Sequence, residues 1–175
     1  LHRVDRRQRQ MCIRDRGMVY NENLKCQALS KREVSKLKPK KKAILISIQD
    51  GEKSELPFKQ RTNHVTRSLY EDVLFVYFDD IDPVRYNIKF KAPFLFSFVE
   101  ASKIINFLDR NFKNNKQFEQ VIVHCQAGIS RSQAVVNFIS KYYFKDNDLL
   151  EEVKSKATLP DGNLHVYNVL EECFR

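Results

Sequence analysis

The sequence predicts an α/β fold in which a central, mostly parallel sheet of four to five strands carries helices on both of its faces. Three short apolar runs indicate buried strands, and they are Ala43–Ile48, Val73–Phe78 and Gln120–His124. Amphipathic helical patterns follow the second and third of these runs, at 97–112 and at 134–142. Strands that alternate with helices are typical of a parallel sheet, whose ligands bind at the carboxyl ends of the strands.

The stretch before the first long apolar run predicts a short strand and a short helix. Leu24–Ala28 has the pattern of the strand. Ser30 and Glu33 have the spacing of a capping box, which predicts a helix that ends before Pro39. Residues 52–70 are polar, and we expect a long surface loop there with room for one helical turn.

Further along the chain, the strand at 73–78 leads into a carboxylate-rich loop, Asp79–Pro83, and an irregular stretch to residue 96. A second capping-box pattern, Ser97 with Glu100, begins the next helix. Beyond the third strand and its helix, the sequence predicts a short helix over Leu149–Val153, a turn, and a closing amphipathic helix up to Cys173.

Length and composition describe an ordinary globular protein. The chain has 175 residues and no apolar run near the ~20 residues of a membrane-spanning helix, so we expect no membrane span. We attribute the formal net charge of +9 to a solvated surface. Nucleic acid is not an expected partner, because basic and aromatic residues do not interleave as in RNA-binding modules.

The cysteines and the isolated histidines give no metal-binding pattern. The sequence contains four cysteines, which are Cys12, Cys26, Cys125 and Cys173. None of them has C-x-x-C spacing, so we expect no metal site. We expect Cys26 and Cys173 to be half-buried thiols, and His64 and His165 to be surface residues.

The loop from Cys125 to Arg131 lies between a predicted strand and a predicted helix, so it turns at a helix N-terminus. Helix N-termini carry unpaired backbone N–H groups and a partial positive charge, which suit a phosphate dianion. Gly128 allows a backbone conformation, or a close approach of a ligand, that a side chain would block. The guanidinium of Arg131 offers two parallel donors to phosphate oxygens. We therefore predict an anion-binding loop.

A cysteine in such a loop is expected to be a nucleophile. Helix N-termini and neighbouring cations lower the pKa of a cysteine from ~8.5 to roughly 3.5–7.5, so Cys125 should be a thiolate at neutral pH. Ser130 and Ser132 can donate hydrogen bonds to the sulfur or to a phosphate.

The segment His124-Cys-Gln-Ala-Gly-Ile-Ser-Arg-Ser132 resembles the His-Cys-(five residues)-Arg-Ser signature of cysteine-dependent protein tyrosine and dual-specificity phosphatases. The resemblance covers most of Lys42–Tyr143 and is strongest to the small dual-specificity-like enzymes of bacteria and phages. It implies a phosphotyrosine-phosphatase-like fold and the hydrolysis of phosphate monoesters through a phosphocysteine intermediate. It implies no cofactor and no metal.

The resemblance assigns roles residue by residue. Cys125 is the nucleophile, Arg131 holds the phosphoryl group, Ser132 assists release of the thiolate, and His124 shapes the loop. A packed core histidine is the alternative for His124. The phosphate-binding positions are Gln126, Ala127, Gly128, Ile129, Ser130 and Arg131.

The general acid is the least determined of these roles. The resemblance places it on a loop after an apolar strand, where this chain has Asp79, Asp80 and Asp82. The family pattern of an apolar residue, any residue and then Asp fits Asp80 best, with Asp79 second and Asp82 third. The Trp-Pro-Asp form of the loop found in receptor-type enzymes is absent, since the chain has no Trp.

The expected substrate is a phosphorylated protein or peptide, with phosphotyrosine first and phosphoserine or phosphothreonine as further substrates. The alternatives are a catalytically silent phosphate-binding module, a phosphatase for phosphoinositides or RNA 5′ ends, and a sulfur-transfer or arsenate-reducing enzyme. We expect a cytoplasmic location, because a catalytic thiol requires a reducing compartment. We also expect a monomer.

Residues 1–17 differ in composition from the rest of the chain. They contain six Arg and no Lys, whereas seven Arg and eighteen Lys follow from Met18 onward. We expect residues 1–17 to be a non-native or disordered basic leader, with a genuine basic arm as the alternative. Residues 18–175 are then expected to form a single phosphatase-like catalytic domain.

Overall fold

A computed structural model of the chain describes residues 24–86, 92–113, 118–144 and 161–175. Its strands are β1 (Lys25–Ser30), β2 (Ala43–Gln49), β3 (Asp72–Tyr77) and β4 (Gln120–Cys125). Its α-helices are α1 (Lys31–Lys36), α2 (Phe58–Thr62), α3 (Phe98–Lys113), α4 (Arg131–Tyr143) and α5 (Leu164–Phe174). The strands form one sheet in the order β1-β4-β2-β3, and each neighbouring pair is parallel. The predicted α/β class and parallel sheet are confirmed.

The sheet buries side chains on both faces, because β2 and β4 lie at its centre. On one face, alternate residues of β2 such as Ile44, Ile46 and Ile48 pack under α3, α4 and α5. On the other face, Leu45 of β2 packs with Val34 of α1 and residues of the following connection. Helices therefore cover both faces, and the three long helices share one of them.

The two capping boxes differ in completeness. At α1, the Glu33 backbone N–H donates to Ser30 Oγ and the Ser30 N–H donates to Glu33 Oε1, so the predicted box is confirmed. At α3, the Ser97 N–H and the Ser97 hydroxyl both donate to Glu100 Oε2. Ser97 Oγ accepts the N–H of Val99, whereas a complete capping box would have it accept the N–H of Glu100. The second box is therefore half formed.

The connection between β2 and β3 is more ordered than the predicted surface loop. It contains α2 and two 3₁₀ turns, Gly51–Glu55 and Arg67–Leu69. The Arg61 guanidinium lies 5.4 Å from the ring centroid of Phe58, within the connection, and 5.0 Å from that of Tyr77 in β3. The cation–π contact with Tyr77 attaches the connection to β3. A polar sequence thus gained order from pairs that are distant in the chain.

Two predicted features lie outside the described residues, namely the leader at 1–17 and the helix at Leu149–Val153. The predicted closing helix is confirmed as α5. Across the described ranges, no helix has both the length and the apolar character needed to span a membrane.

Candidate active site

The loop from Cys125 to Arg131 joins the end of β4 to the first residue of α4, as predicted. β4 is paired on both sides, so its carboxyl end is fixed at the centre of the sheet. Gly128 has φ of +78°, and a Cβ there would lie 2.6 Å from backbone atoms of Leu29 and Ser30. Because any side chain would clash with this neighbouring backbone, the loop requires glycine at this position.

The Cys125 thiol lies at the base of the loop and is 2% exposed. Its Sγ is 3.1 Å from Ser132 Oγ and accepts the Gly128 N–H at 3.2 Å. Burial alone raises the pKa of Cys125, but hydrogen bonds from Ser132 and Gly128, together with the charge of Arg131, outweigh it. The net pKa of Cys125 is below its ordinary value, which favours the nucleophilic thiolate.

The Arg131 guanidinium is buried beside the loop, with 4% exposure. Its Nη1 donates to the Phe78 carbonyl at 2.7 Å and to Asp50 Oδ1 at 2.9 Å. Its Nε is buried and has no hydrogen-bond partner among the described residues. Nη1 therefore holds the guanidinium in place, while Nε remains a donor that is not used. An unused buried donor is expected in a group that binds an anion.

The three candidate acids have separate partners. Asp80 is exposed, and its Oδ1 accepts from Ser130 Oγ at 2.7 Å and from Asn163 Nδ2 at 2.9 Å. Asp79 Oδ1 accepts the Gly51 N–H at 2.9 Å and so holds the turn after β2. Only Asp80 of the three directly contacts the anion-binding loop through a described hydrogen bond.

Asp82 is a structural carboxylate, buried to 7% exposure. Its Oδ2 accepts the N–H of Leu164, the first residue of α5, and its Oδ1 accepts the N–H groups of Val84 and Arg85. Arg85 Nε also lies 3.5 Å from Oδ2. With both oxygens in use, Asp82 joins the carboxylate loop to the start of the closing helix.

We expect Asp82→Ala to lower the free energy of unfolding by about 2 kcal/mol, because it leaves the helix N-terminus and the turn N–H groups without their acceptor. Urea denaturation monitored by circular dichroism measures this change. Glu71→Ala, an exposed change of equal charge, is the matched control and should stay within about 0.5 kcal/mol of wild type. Equal stabilities of the two variants would contradict the structural role of Asp82.

Asn163 belongs to the site, although the sequence indicated only a turn and a helix start at this position. The residue is 1% exposed and caps α5 by accepting the Val166 N–H. Its Nδ2 donates to Asp80 Oδ1 and to the Ile81 carbonyl, and its backbone N–H donates to the Ser130 carbonyl. Asparagine before an apolar helix is a recognisable N-cap, but nothing local in the sequence links it to Asp80.

The turn that carries Asn163 is packed against the loop. Gly162 has φ of +92°, and a Cβ there would lie 2.8 Å from Ser130 O and Ala134 N. The Asn137 side chain donates to the Asp161 carbonyl at 2.7 Å. These contacts place the start of α5 beside the first turn of α4, so that Asn163 can reach the acid loop.

His124 is fully buried on the opposite face of the sheet from Cys125. Its Nδ1 lies 3.2 Å from the Cys125 carbonyl and its Nε2 lies 2.6 Å from Ser47 Oγ. Burial lowers the pKa of His124 to about 4, so the ring is neutral at pH 7. The geometry combines the two interpretations of His124, since the ring is both packed in the core and hydrogen-bonded to the loop.

The prediction that His64 and His165 are surface residues is wrong. His64 is half-buried, and its Nε2 lies 3.0 Å from His124 Nε2. His165 is also partly buried, with Nε2 at 2.8 Å from the Phe96 carbonyl. Both rings find partners that are more than 50 positions away in the chain, so the local pattern could not reveal them. The predicted half-buried state of Cys26 and Cys173 is confirmed.

An open cleft of about 430 Å³ lies beside the loop and is bounded by Asp80 and Ser130. Its exposed apolar edges include Tyr86 and Ile129, which are 66% and 73% exposed. The remaining lining residues are Ile81, Asp82, Arg85 and Gly162. A leaving group attached to a phosphate in the loop would have room here, next to the carboxylate of Asp80.

The other phosphate-binding positions differ in exposure. Gln126 and Ala127 are exposed, whereas Ser130 is partly buried and uses its hydroxyl for Asp80. Within the described ranges, no three His, Cys, Asp or Glu side chains gather in a way that could hold a metal ion.

Comparisons with known proteins find solved structures similar to this chain, two of which are given below. No family model matches the chain, and no curated protein matches it either. A solved structure of Tk-PTP in its active form is similar over 85% of this chain and 89% of that protein, at 19% identity and a TM-score of 0.45. A protein described as a candidate phosphatase (DUF442) from Shewanella putrefaciens CN-32 is similar over 90% and 86%, at 14% identity and a TM-score of 0.43.

Proposed function

We propose that this protein is a cysteine-dependent, metal-independent phosphatase that removes phosphate from phosphotyrosine, and also from phosphoserine or phosphothreonine, in proteins. One observation carries the proposal. A buried Cys125 with a lowered pKa lies in the same loop as a buried Arg131, whose Nε has no hydrogen-bond partner among the described residues. A nucleophile and an unused anion donor at one helix N-terminus suit phosphoryl transfer.

In the first step, Cys125 Sγ forms a bond to phosphorus while the bond from phosphorus to the leaving oxygen breaks. Arg131 and the loop N–H groups hold the charge of the transferring group. Protonated Asp80 gives its proton to the leaving oxygen. Asp80 Oδ1 already accepts two hydrogen bonds, whereas its Oδ2 makes none with the described residues, so Oδ2 is the oxygen that carries this proton.

In the second step, water attacks the phosphocysteine and Asp80 accepts the proton that water loses. The sulfur–phosphorus bond breaks, and Cys125 leaves as a thiolate. The Ser132 hydroxyl, 3.1 Å from Sγ, stabilises the thiolate as it forms. His124 keeps its supporting role through its contact with the Cys125 carbonyl.

The open cleft supports a protein substrate over a compact soluble phosphate. Its exposed apolar edges at Tyr86 and Ile129 suit the side chain and flanking residues of a phosphorylated peptide. The loop itself carries no basic residue between Cys125 and Arg131, which disfavours a highly charged phosphoinositide headgroup. The silent phosphate-binding module is disfavoured because nucleophile, anion donor and acid are all present together.

The testing experiment measures p-nitrophenyl phosphate hydrolysis by the wild-type protein without added metal and again with a chelator. We expect turnover that the chelator does not change. Iodoacetate should inactivate the protein at a rate that rises with pH through a midpoint below the ~8.5 of an ordinary thiol, because a lowered pKa gives thiolate at lower pH.

Inorganic phosphate should slow this inactivation by occupying the loop. Absence of turnover with phosphate protection retained would favour the silent module, and chelator-sensitive turnover would contradict the mechanism. A panel of phosphopeptides then compares tyrosine with serine and threonine.

A further inference from the structure

The described residues contain a buried polar cluster made by Ser47, His64 and His124, and the proposed mechanism gives a role only to His124. Ser47 lies directly opposite His124 in the register of β2 and β4. Both residues are fully buried on the face of the sheet that α1 and the β2–β3 connection cover. His64 comes from that connection, and its ring meets the His124 ring edge to face, with centroids 4.9 Å apart.

The position of His64 is held by its neighbours in the chain. Gln49 at the end of β2 donates to the Arg61 carbonyl, and Thr62 Oγ1 donates to the Phe58 carbonyl. On the other side of His64, the Val65 N–H donates to the Thr62 carbonyl. These hydrogen bonds fix the backbone on both sides of His64. The His64 ring is therefore held against the His124 ring, unlike the side chain of a free surface residue.

The donors and acceptors of the cluster permit one consistent assignment. The Cys125 carbonyl can only accept, so His124 Nδ1 carries the hydrogen and His124 Nε2 is an acceptor. Ser47 O–H, at 2.6 Å, donates to that Nε2. His64 Nε2 lies 3.3 Å from Ser47 Oγ and 3.0 Å from His124 Nε2, so its N–H donates to this pair of atoms and His64 Nδ1 is left as an acceptor.

This assignment agrees with the remaining atoms. His64 Nδ1 is buried and has no hydrogen-bond partner among the described residues. In this assignment Nδ1 carries no hydrogen, so no buried N–H donor is left unpaired there. Both rings must be neutral for the assignment to hold. Burial lowers the pKa of each to about 4, with the nearby charge of Lys31 as a further cause.

The chain of hydrogen bonds ends on the first peptide plane of the anion-binding loop. The peptide bond between Cys125 and Gln126 is planar and trans, so its C=O and N–H point in opposite directions. Fixing the Cys125 carbonyl toward His124 therefore also fixes the direction of the Gln126 N–H. The cluster thus controls the geometry of the loop immediately after the nucleophile.

We propose that His64 is a positioning residue of the active site, which acts with Ser47 to fix the His124 ring and, through it, the first peptide plane of the loop at Cys125. This inference rests on the proposed phosphatase function for its kinetic consequences. The orientation of the loop and the state of the Cys125 thiol can be measured independently of turnover.

The test compares His64→Phe, which keeps a planar ring and loses the donor, with His64→Gln, whose Nε2 can still donate. We expect His64→Phe to lower kcat on p-nitrophenyl phosphate roughly ten- to hundredfold, because displacements of the order of 1 Å have effects of about this size. KM should change less. The midpoint of the pH dependence of Cys125 alkylation should rise, since loop N–H groups no longer stabilise the thiolate as well.

Further variants show whether the effect of His64→Phe comes from the lost hydrogen-bond donor. His64→Gln should restore kcat to within about threefold of wild type and return the alkylation midpoint. Ser47→Ala should resemble His64→Phe, and the double variant should be no worse than Ser47→Ala alone, because both residues act through His124. His165→Phe is the matched control, since that ring contacts only the Phe96 carbonyl in the described hydrogen-bond network, and it should leave the alkylation midpoint unchanged.

Several outcomes would overturn the inference. A His64→Phe variant with wild-type kcat and alkylation midpoint would do so whatever its thermal midpoint, and so would an equal loss in His64→Gln and His64→Phe. If the wild-type protein shows no turnover, the proposed function fails separately. In that case an alkylation midpoint shifted in His64→Phe and restored in His64→Gln would still support the positioning role.

Discussion

The Cys125→Ser variant is expected to lose roughly 10⁴-fold or more of the wild-type turnover of aryl phosphates while still binding inorganic phosphate. Serine fits the buried position, and its hydroxyl can keep the hydrogen bonds that Ser132 and Gly128 make to Sγ. It cannot supply a thiolate, however, and the described groups that contact Sγ, namely Ser132 Oγ and Gly128 N–H, are not bases that could activate a hydroxyl. The anion-binding elements remain, so binding and catalysis should separate.

Two measurements follow from that separation. Steady-state hydrolysis of p-nitrophenyl phosphate gives the loss of turnover, and isothermal titration with inorganic phosphate gives the retained binding. Cys173→Ser is the matched control, because Cys173 is half-buried on α5 and contacts the Ser102 hydroxyl, away from the loop. It should hydrolyse the substrate within about twofold of wild type. Turnover that survives in Cys125→Ser would mean that another group attacks phosphorus.

The turn from Cys125 to Arg131 could be predicted from the sequence because its parts are contiguous. Cys125, Gly128 and Arg131 lie within seven positions, and a strand before them and a helix after them fix the turn. The physical demands of such a turn, including a positive φ at Gly128, act on single residues. The parallel sheet could be predicted for a similar reason, since each buried strand is a short apolar run.

The environment of the loop could not be predicted in this way, because its contacts join distant parts of the chain. Asp82 is tied to Leu164 and Asn163 to Asp80, at separations of 82 and 83 positions. His64 and His124 are 60 positions apart. The sequence places three carboxylates in one loop, but Asp79 accepts the Gly51 N–H and Asp82 accepts the Leu164 N–H, and both donors belong to other parts of the chain.

Asp50 illustrates the same limit. The sequence identifies Asp50-Gly51 only as the turn that ends β2. In the structure, Asp50 pairs with Arg131 while the next residue, Gly51, donates to Asp79. One turn therefore holds the Arg131 guanidinium through Asp50 and occupies an oxygen of Asp79 through the Gly51 N–H.

The Asp80→Asn variant is expected to lower kcat by about 10²- to 10⁴-fold on phenyl phosphate, whose leaving oxygen needs a proton. The loss should be much smaller on p-nitrophenyl phosphate, whose leaving group departs readily as an anion. The amide keeps the size of the carboxylate, and its carbonyl oxygen can still accept from Ser130 and Asn163.

Asp79→Asn is the matched comparison, an identical change one residue earlier in the same loop. Its carbonyl oxygen can still accept the Gly51 N–H, so turnover and its dependence on the leaving group should remain near wild type. If the leaving-group dependence appears in Asp79→Asn and not in Asp80→Asn, the acid is Asp79 and the assignment is wrong. We expect the effect in Asp80→Asn because of the hydrogen bonds of this carboxylate. Asp80 Oδ1 accepts from Ser130 and Asn163, whereas Oδ2 makes no hydrogen bond with the described residues and can carry the proton.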